Sequence, residues 1–405
     1  MAYFAFIRSN LRFLGFGVLM TAAASFGQTF FIALYMGEAR QTFGLSHGDV
    51  GNVYFVGTLM SGITMIWLGR LVDVMTLRGV AMAVTAGLAL GCTVMAWTPA
   101  AWTLAIAFFL LRLFGQGMMT HAAITGTARR FEADRGKAVA IVSSGQPLAE
   151  SVLPIVAVAL TAWVGWRLSW ALYAGLLLLV AVPAIWGLLA SRDEARTGER
   201  PDETARTSRP TAGRQWTRGQ VLRDLRFYLL LPGILAPAYV STGLIFHQAY
   251  TAEVRGWSLA WIATCFVGYA AAKGVAAFVL GPVVDRWTAR RVARVVLLPL
   301  ALAAATLAAF THEIGAFVYL TLLGAASGGS QTVLNVMWAE MYGIRHLGSI
   351  RALAFAFSVA ATAVAPASMG WWIDGGASIE SIAWGCVLYV LVASIPLNFA
   401  LSLRR

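Results

Sequence analysis

The sequence predicts an all-α membrane protein of twelve transmembrane helices in two pseudo-symmetric six-helix bundles. Three observations lead there: recurrent apolar runs of membrane-spanning length, loop cations gathered on one side of those runs, and a loop pattern that returns 212 residues later. The apolar content sets the class. Of 405 residues, 59% are hydrophobic and only 12% charged, a balance that a soluble domain of this size could not hide in its core.

Crossing the ~30 Å hydrocarbon layer takes about 20 apolar residues in a helix. Twelve runs qualify, at 11–36, 49–71, 79–98, 100–125, 138–163, 168–190, 227–253, 257–284, 292–311, 314–343, 351–374 and 380–402. They are rich in Leu, Ala, Gly and Val and do not alternate strictly, which favours helices over barrel strands. The first run follows Arg8 and Arg12 and continues past Ala22–Ala24 to Met36, so it is expected to be a retained helix rather than a cleaved signal. Runs one to six give an N-terminal bundle at 1–190, and runs seven to twelve a C-terminal bundle at 227–405. Residues 191–226 form the linker, a charged stretch whose end mixes Trp216, Val221, Leu222, Leu225 and Phe227 with arginines as a short amphipathic helix would.

Charge sets the orientation. Of 30 Lys and Arg, 25 fall at the termini, in the linker, or in the loops on the linker's side of the membrane; only Arg40, Arg167 and Arg255 fall in loops on the other. The positive-inside rule then puts both termini and the linker in the cytoplasm, as in a multi-pass protein of a bacterial-type inner membrane. The net charge of +12 is explained by basic loops beside anionic lipid, and no nucleic-acid partner is implied. Cys92, Cys265 and Cys386 lie within spans and lack metal-ligand or redox spacing, so no metal site is expected. No phosphate loop or nucleophile triad occurs, which argues against an ATP-driven pump or an enzyme, and no cofactor is expected.

The repeated pattern is Gly69, Leu71, Asp73 and Arg78, then Gly281, Val283, Asp285 and Arg290. Each copy follows the second run of its half, where a short basic loop turns the chain back. Gly117 and Gly329, Gly136 and Gly348, and Pro154 and Pro366 keep the same offset. The pattern resembles the loop signature of the major facilitator superfamily, with Val74 where an Arg is usual and Thr76 where a Gly is usual. That resemblance implies two repeated halves with substrate near the midplane between them, and it implies that Gly69, Asp73, Arg78, Gly281, Asp285, Arg286 and Arg290 govern conformational gating.

Departures from the symmetry point to chemistry. Arg112 maps onto Gly324, Glu150 onto Thr362, Lys273 onto Ser61 and His247 onto Tyr35, so each titratable group occurs in one half alone. A charge at mid-membrane costs roughly 2.5–3.5 kcal/mol on insertion scales, and its default reading is a partner or pathway inside the bundle. A fixed ion pair locking helices is the competing reading.

Arg112, Gly115, Gln116 and Gly117 resemble the fourth-helix Arg and Gly motif of proton-linked members, where the Arg is tied to proton transfer. Lys273, one of two lysines, resembles the eighth-helix cation of the monocarboxylate and organic-anion branch, where such a residue meets the substrate carboxylate. Gly145, Pro147 and Glu150 loosely resemble the fifth-helix motif of antiporters. His247 and Gln248, in a helix that lines the cavity in this family, are further hydrogen-bonding candidates for substrate, although a histidine satisfied within the bundle fits equally well. Arg112, Lys273, His247 and Gln248 are therefore the expected substrate contacts and Glu150 the expected proton-coupling group.

The implied activity is secondary transport of a small organic anion, a monocarboxylate above all, coupled to a proton. The alternative is proton-linked efflux of drugs or amphipathic metabolites. The expected partners are the substrate, the proton and the bilayer, with the protein a monomer.

Overall fold

The structure, a computed structural model, describes residues 2–190, 215–343 and 345–403, and every described element is helical. Most of the expected linker, including the greater part of its charged stretch, lies outside these residues.

Eight described helices are long and apolar enough to cross a membrane, and a ninth span is the bent pair Leu11–Gly27 and Thr29–Phe43. One of the eight, Arg135–Leu188, holds two of the sequence runs, because Gly165 breaks it with φ 79° and ψ 162°, backbone that only glycine adopts without strain. Two further helices supply the remaining runs. Leu298–Ala309 is short, and Glu313–Tyr342 is long but dilutes its apolar stretch with Gly328, Gly329, Ser330, Gln331 and Asn335. The protein is thus an all-α, twelve-helix membrane protein. Its lipid-facing character is visible in side chains such as Trp163, Leu179 and Phe278, which are 81%, 79% and 82% exposed, an arrangement that suits hydrocarbon and not water.

The helices gather into two compact units. The first comprises Met1–Phe43 and Val56–Arg209, the second Gly44–Phe55 and Pro210–Arg405. The helix His47–Leu68 is therefore divided, with its first turns belonging to the second unit. There the Asp374 carboxylate accepts from the backbone N–H groups of His47 and Gly48 at 3.0 and 2.7 Å and satisfies the helix start. Gly370 packs against the His47 carbonyl and Gly51 against the Pro366 carbonyl, where side chains on either would collide.

Close backbone approach also fixes the second unit elsewhere. A Cβ on Gly324 would lie 2.1 Å from the Tyr269 carbonyl oxygen, and one on Gly328 would lie 2.1 Å from that of Lys273. The helices Leu259–Trp287 and Glu313–Tyr342 consequently touch along their backbones, the use of small residues expected between membrane helices. Gly328→Ala should destabilise the protein by about 1–3 kcal/mol, the usual effect of overpacking, seen as a lower thermal midpoint in detergent. An unchanged midpoint would show that the two helices part freely.

The amphipathic helix expected at the end of the linker is a single turn, Arg218–Val221, capped by the Thr217 hydroxyl. It is tied to the second unit: Trp216 N–H donates to the Tyr342 carbonyl at 3.0 Å, and Asp224 starts the next helix, Leu225–Phe246.

Candidate functional site

The loop arginines have matching jobs in the two units. Arg78 donates to the Leu189 carbonyl at 3.5 Å and lies over the Trp186 ring. Arg290 donates to the carbonyls of Leu401 and Leu403 at 3.0 and 3.2 Å. Leu189 and Leu401 are themselves 212 residues apart, so each arginine braces the orphan carbonyls at the end of its unit's last helix.

The acidic partners differ. Asp73 forms an ion pair with Arg129, which also donates to the Val72 carbonyl at 2.8 Å. Asp285 is exposed and forms no ion pair among the described residues. Near it, Glu340 accepts from the backbone N–H groups of Ala289 and Arg290 at 2.8 and 3.2 Å, capping the helix Ala289–Val292. Gly69 and Gly281 are half-buried beside these loops and Arg286 is exposed.

Two of the three cations on the far side are also anchors. Arg167 donates to the carbonyls of Ala96 and Thr98 at 3.2 and 2.8 Å, holding the turn before the sixth helix as expected from Gly165, Trp166 and Trp170. Arg255 donates to the Leu307 carbonyl at 2.7 Å and pairs with Glu380 at 3.1 Å.

Arg112 sits in the most unusual backbone of the first unit. Leu111–Met119 runs as nine residues of π-helix, a widened form that is rare and frequently found at functional sites. Its widening coincides with the break in the first span, where Gln28 is extended at φ −84° and ψ 149° between Ala24–Gly27 and Thr29–Ile32. Gly27 lies so close to the π-helix that a Cβ there would come within 2.0 Å of the Leu111 carbonyl oxygen, and Gly115 meets Gly27 from the other side. Arg112 is 2% exposed and donates to the Thr29 hydroxyl at 3.2 Å, at the first residue beyond the break. Broken helices bring polar backbone to membrane depth only where it faces protein or a cavity, and here the break faces the buried guanidinium.

Glu150 belongs to the same unit, 2% exposed, and its carboxylate accepts from the Gln146 amide one turn earlier at 2.9 Å. Neither Thr29 nor the π-helical run is evident from residue types; the Gly27–Gln28–Thr29 interruption of an apolar run is the available signal. The same unit buries an aromatic cluster of Phe26, Phe31, Tyr35, Trp170 and Tyr173, closed by a 2.8 Å bond between the two tyrosine hydroxyls.

Lys273, His247 and Gln248 belong to the second unit. Lys273 is half-buried with its ammonium 5.8 Å from the Tyr269 ring centroid. His247 closes the helix Leu225–Phe246 just before Gln248–Arg255, so the seventh span is also interrupted, and at a polar pair. Its Nε2 bonds the Pro366 carbonyl at 2.9 Å and its ring lies 5.8 Å from that of His47. Gln248 is buried beside it at 3% exposure. One ring nitrogen of His247 thus already has a protein partner, the arrangement of a histidine that locks helices. No group of three or more His, Cys, Asp or Glu arranged to hold a metal occurs among the described residues.

Comparison with known proteins agrees with this architecture. The family model described as Major Facilitator Superfamily matches residues 14–268 and 238–405. Among solved structures, a bacterial homologue of the human lysosomal transporter Spinster, inward-facing and unoccupied, superposes with a TM-score of 0.73 at 16% identity, covering 98% of this chain and 97% of its own. The nucleoside transporter NupG superposes with a TM-score of 0.75 at 10% identity, covering 98% and 99%. At such identities the likeness is one of fold. No curated protein matches the sequence significantly. With its family model matched over nearly the whole length, the chain belongs to the major facilitator superfamily.

Proposed function

We propose that this protein moves a small organic anion, a monocarboxylate above all, across a bacterial-type inner membrane by alternating access coupled to a proton, with both termini cytoplasmic. The observation that carries the reading is the buried Arg112 held by a π-helical run against the break in the first span. A guanidinium remains charged at any accessible pH and binds carboxylates with two parallel bonds, so its burial favours an anion nearby. Glu150 adds one anion to the same unit, so that pair sums to zero. Protonating Glu150 leaves +1 there and strengthens anion capture, and by linkage the bound anion then favours the proton, the logic of symport. Lys273 supplies a further cation in the second unit.

Uptake into proteoliposomes, with a panel of carboxylates and an imposed pH gradient, tests this directly. Accumulation of one or more monocarboxylates that collapses with the gradient is expected. Transport confined to neutral or cationic amphiphiles would refute it.

The loop motifs are proposed to set the rate of conformational exchange. Both aspartates are exposed, but Asp73 is paired with Arg129 whereas Asp285 forms no ion pair among the described residues. Asp73→Asn should therefore slow exchange more than Asp285→Asn, with equilibrium binding nearly unchanged in both. Loss of binding in a folded Asp73→Asn protein would place that residue in the substrate site instead.

A further inference from the structure

A cavity of about 410 Å³ lies wholly within the second unit, beside the start of the helix Leu347–Asp374. Its polar wall is Arg351, Asn335, Gln331 and Ser358, and its apolar wall includes Ile234 and Trp338. Arg351 donates to the Asn335 side-chain oxygen, which fixes the guanidinium at the cavity edge, and no carboxylate pairs with it among the described residues. The nearest acid along the chain, Glu340, is occupied by the Ala289 and Arg290 backbone. No side-chain bond of Gln331 forms among the described residues, while the Ser358 hydroxyl donates to the Ala354 carbonyl and keeps its lone pairs. The cavity therefore offers a cation without a carboxylate partner among the described residues and an amide at one side, and hydrocarbon at the other, in a volume typical of small-molecule sites.

We infer that this cavity is a second anion site of the second unit, with Lys273 outside its lining, that takes an amphipathic monocarboxylate with its carboxylate on Arg351 and Gln331 and its hydrocarbon body on Trp338 and Ile234. The inference builds on the organic-anion reading above. A positive potential along a cleft raises the local concentration of anions on the way to a deeper site. On the side assigned to the cytoplasm, such a site collects substrate leaving or approaching the pathway.

The test needs no transport measurement. Cys92, Cys265 and Cys386 are all buried, so a cysteine introduced by Ser358→Cys is the reactive thiol in protein reconstituted in neutral lipid. Its modification rates by the anionic methanethiosulfonate ethylsulfonate and by the cationic trimethylammonium analogue are compared with those of a free thiol. The ratio should shift about tenfold toward the anionic reagent, the size of effect that one nearby charge exerts in a partly desolvated site. Adding Arg351→Gln should abolish the shift. Benzoate should protect the thiol and neutral benzamide should not. Absence of a charge preference, or its persistence in Arg351→Gln, would overturn the inference. So would protection by anionic phosphatidylglycerol in the bilayer without protection by benzoate, which would assign the cavity to lipid headgroups. Ala352→Cys, which also lines the cavity and makes none of the proposed contacts, gives the same readout if Ser358→Cys does not fold. Adding Lys273→Ala should leave benzoate protection intact; its loss would merge this cavity with the deeper site. Failure of the uptake assay with protection intact would sink the transport proposal and leave the binding site standing.

Discussion

Replacing Lys273 by alanine should weaken carboxylate binding roughly ten- to a hundred-fold while neutral analogues lose little. The expectation follows from the difference between a charge-assisted and an ordinary contact. A carboxylate held by an ammonium away from bulk water gains about 1.5–3 kcal/mol, whereas an uncharged isostere gains none of that charge-assisted part. Lys273 is half-buried, flanked by the small residues Ala271, Ala272 and Gly274, and its ammonium lies 5.8 Å from the Tyr269 ring centroid. The backbone at this point is rigid, since Gly328 meets the Lys273 carbonyl. A truncated side chain should therefore leave the helix pair in place, so the measurement reports on charge and not on unfolding. Equal loss of affinity for carboxylates and for neutral analogues would identify Lys273 as a packing residue. Arg112→Ala is a less clean probe, because the guanidinium also joins the π-helix to Thr29 across the break, and its removal alters both recognition and local structure.

The membrane fold was legible because it rests on quantities that a sequence displays directly: run length, loop charge and the 212-residue offset. The offset reaches further than the motif that revealed it, for Arg78 with Leu189 and Arg290 with Leu401 repeat the same brace at the same spacing. What the sequence conceals is departure from helical regularity. Hydrophobic periodicity reads a continuous run through Gln28 and through His247, although the backbone breaks at both, because the flanking residues stay apolar on either side. The π-helical run at Leu111–Met119 is equally silent, since widening a helix changes its hydrogen-bond register and not its composition. The ninth span is shorter than its apolar run, at Leu298–Ala309, because Ala289–Val292 and the turns after it take up the residues before it. For the candidate site, burial of Arg112 and Glu150 was foreseeable from the absence of other charges in their helices, while Thr29 and Gln146 became visible only as their partners. For His247 the Nε2 bond to the Pro366 carbonyl shows a partner the sequence does not display, while the residue type alone leaves a substrate contact and a satisfied bundle histidine equally open.

The largest effect is expected at Glu150. It is buried, it is the carboxylate placed within the fifth helix of the first unit, and its position in the second unit is taken by Thr362. If the deprotonated carboxylate holds a cation that the substrate needs, protonation frees that cation, and each transport cycle then carries a proton with the anion. Glu150→Gln mimics the protonated form permanently. The amide is nearly the same size, so Gln146 retains a hydrogen-bonding partner at the same place. Exchange of labelled for unlabelled substrate across a proteoliposome membrane should survive, because exchange needs binding and conformational change but no net proton movement. Accumulation driven by a pH gradient should fall to the equilibrium level, a complete loss rather than a partial one. The pairing of these two assays separates coupling from damage: a misfolded variant loses both activities, and a residue with a purely structural role alters both in proportion. Gradient-driven accumulation at the wild-type level in Glu150→Gln would remove this residue from the coupling mechanism. His47 and His247, whose rings lie 5.8 Å apart in the second unit, would then be the next pair to test.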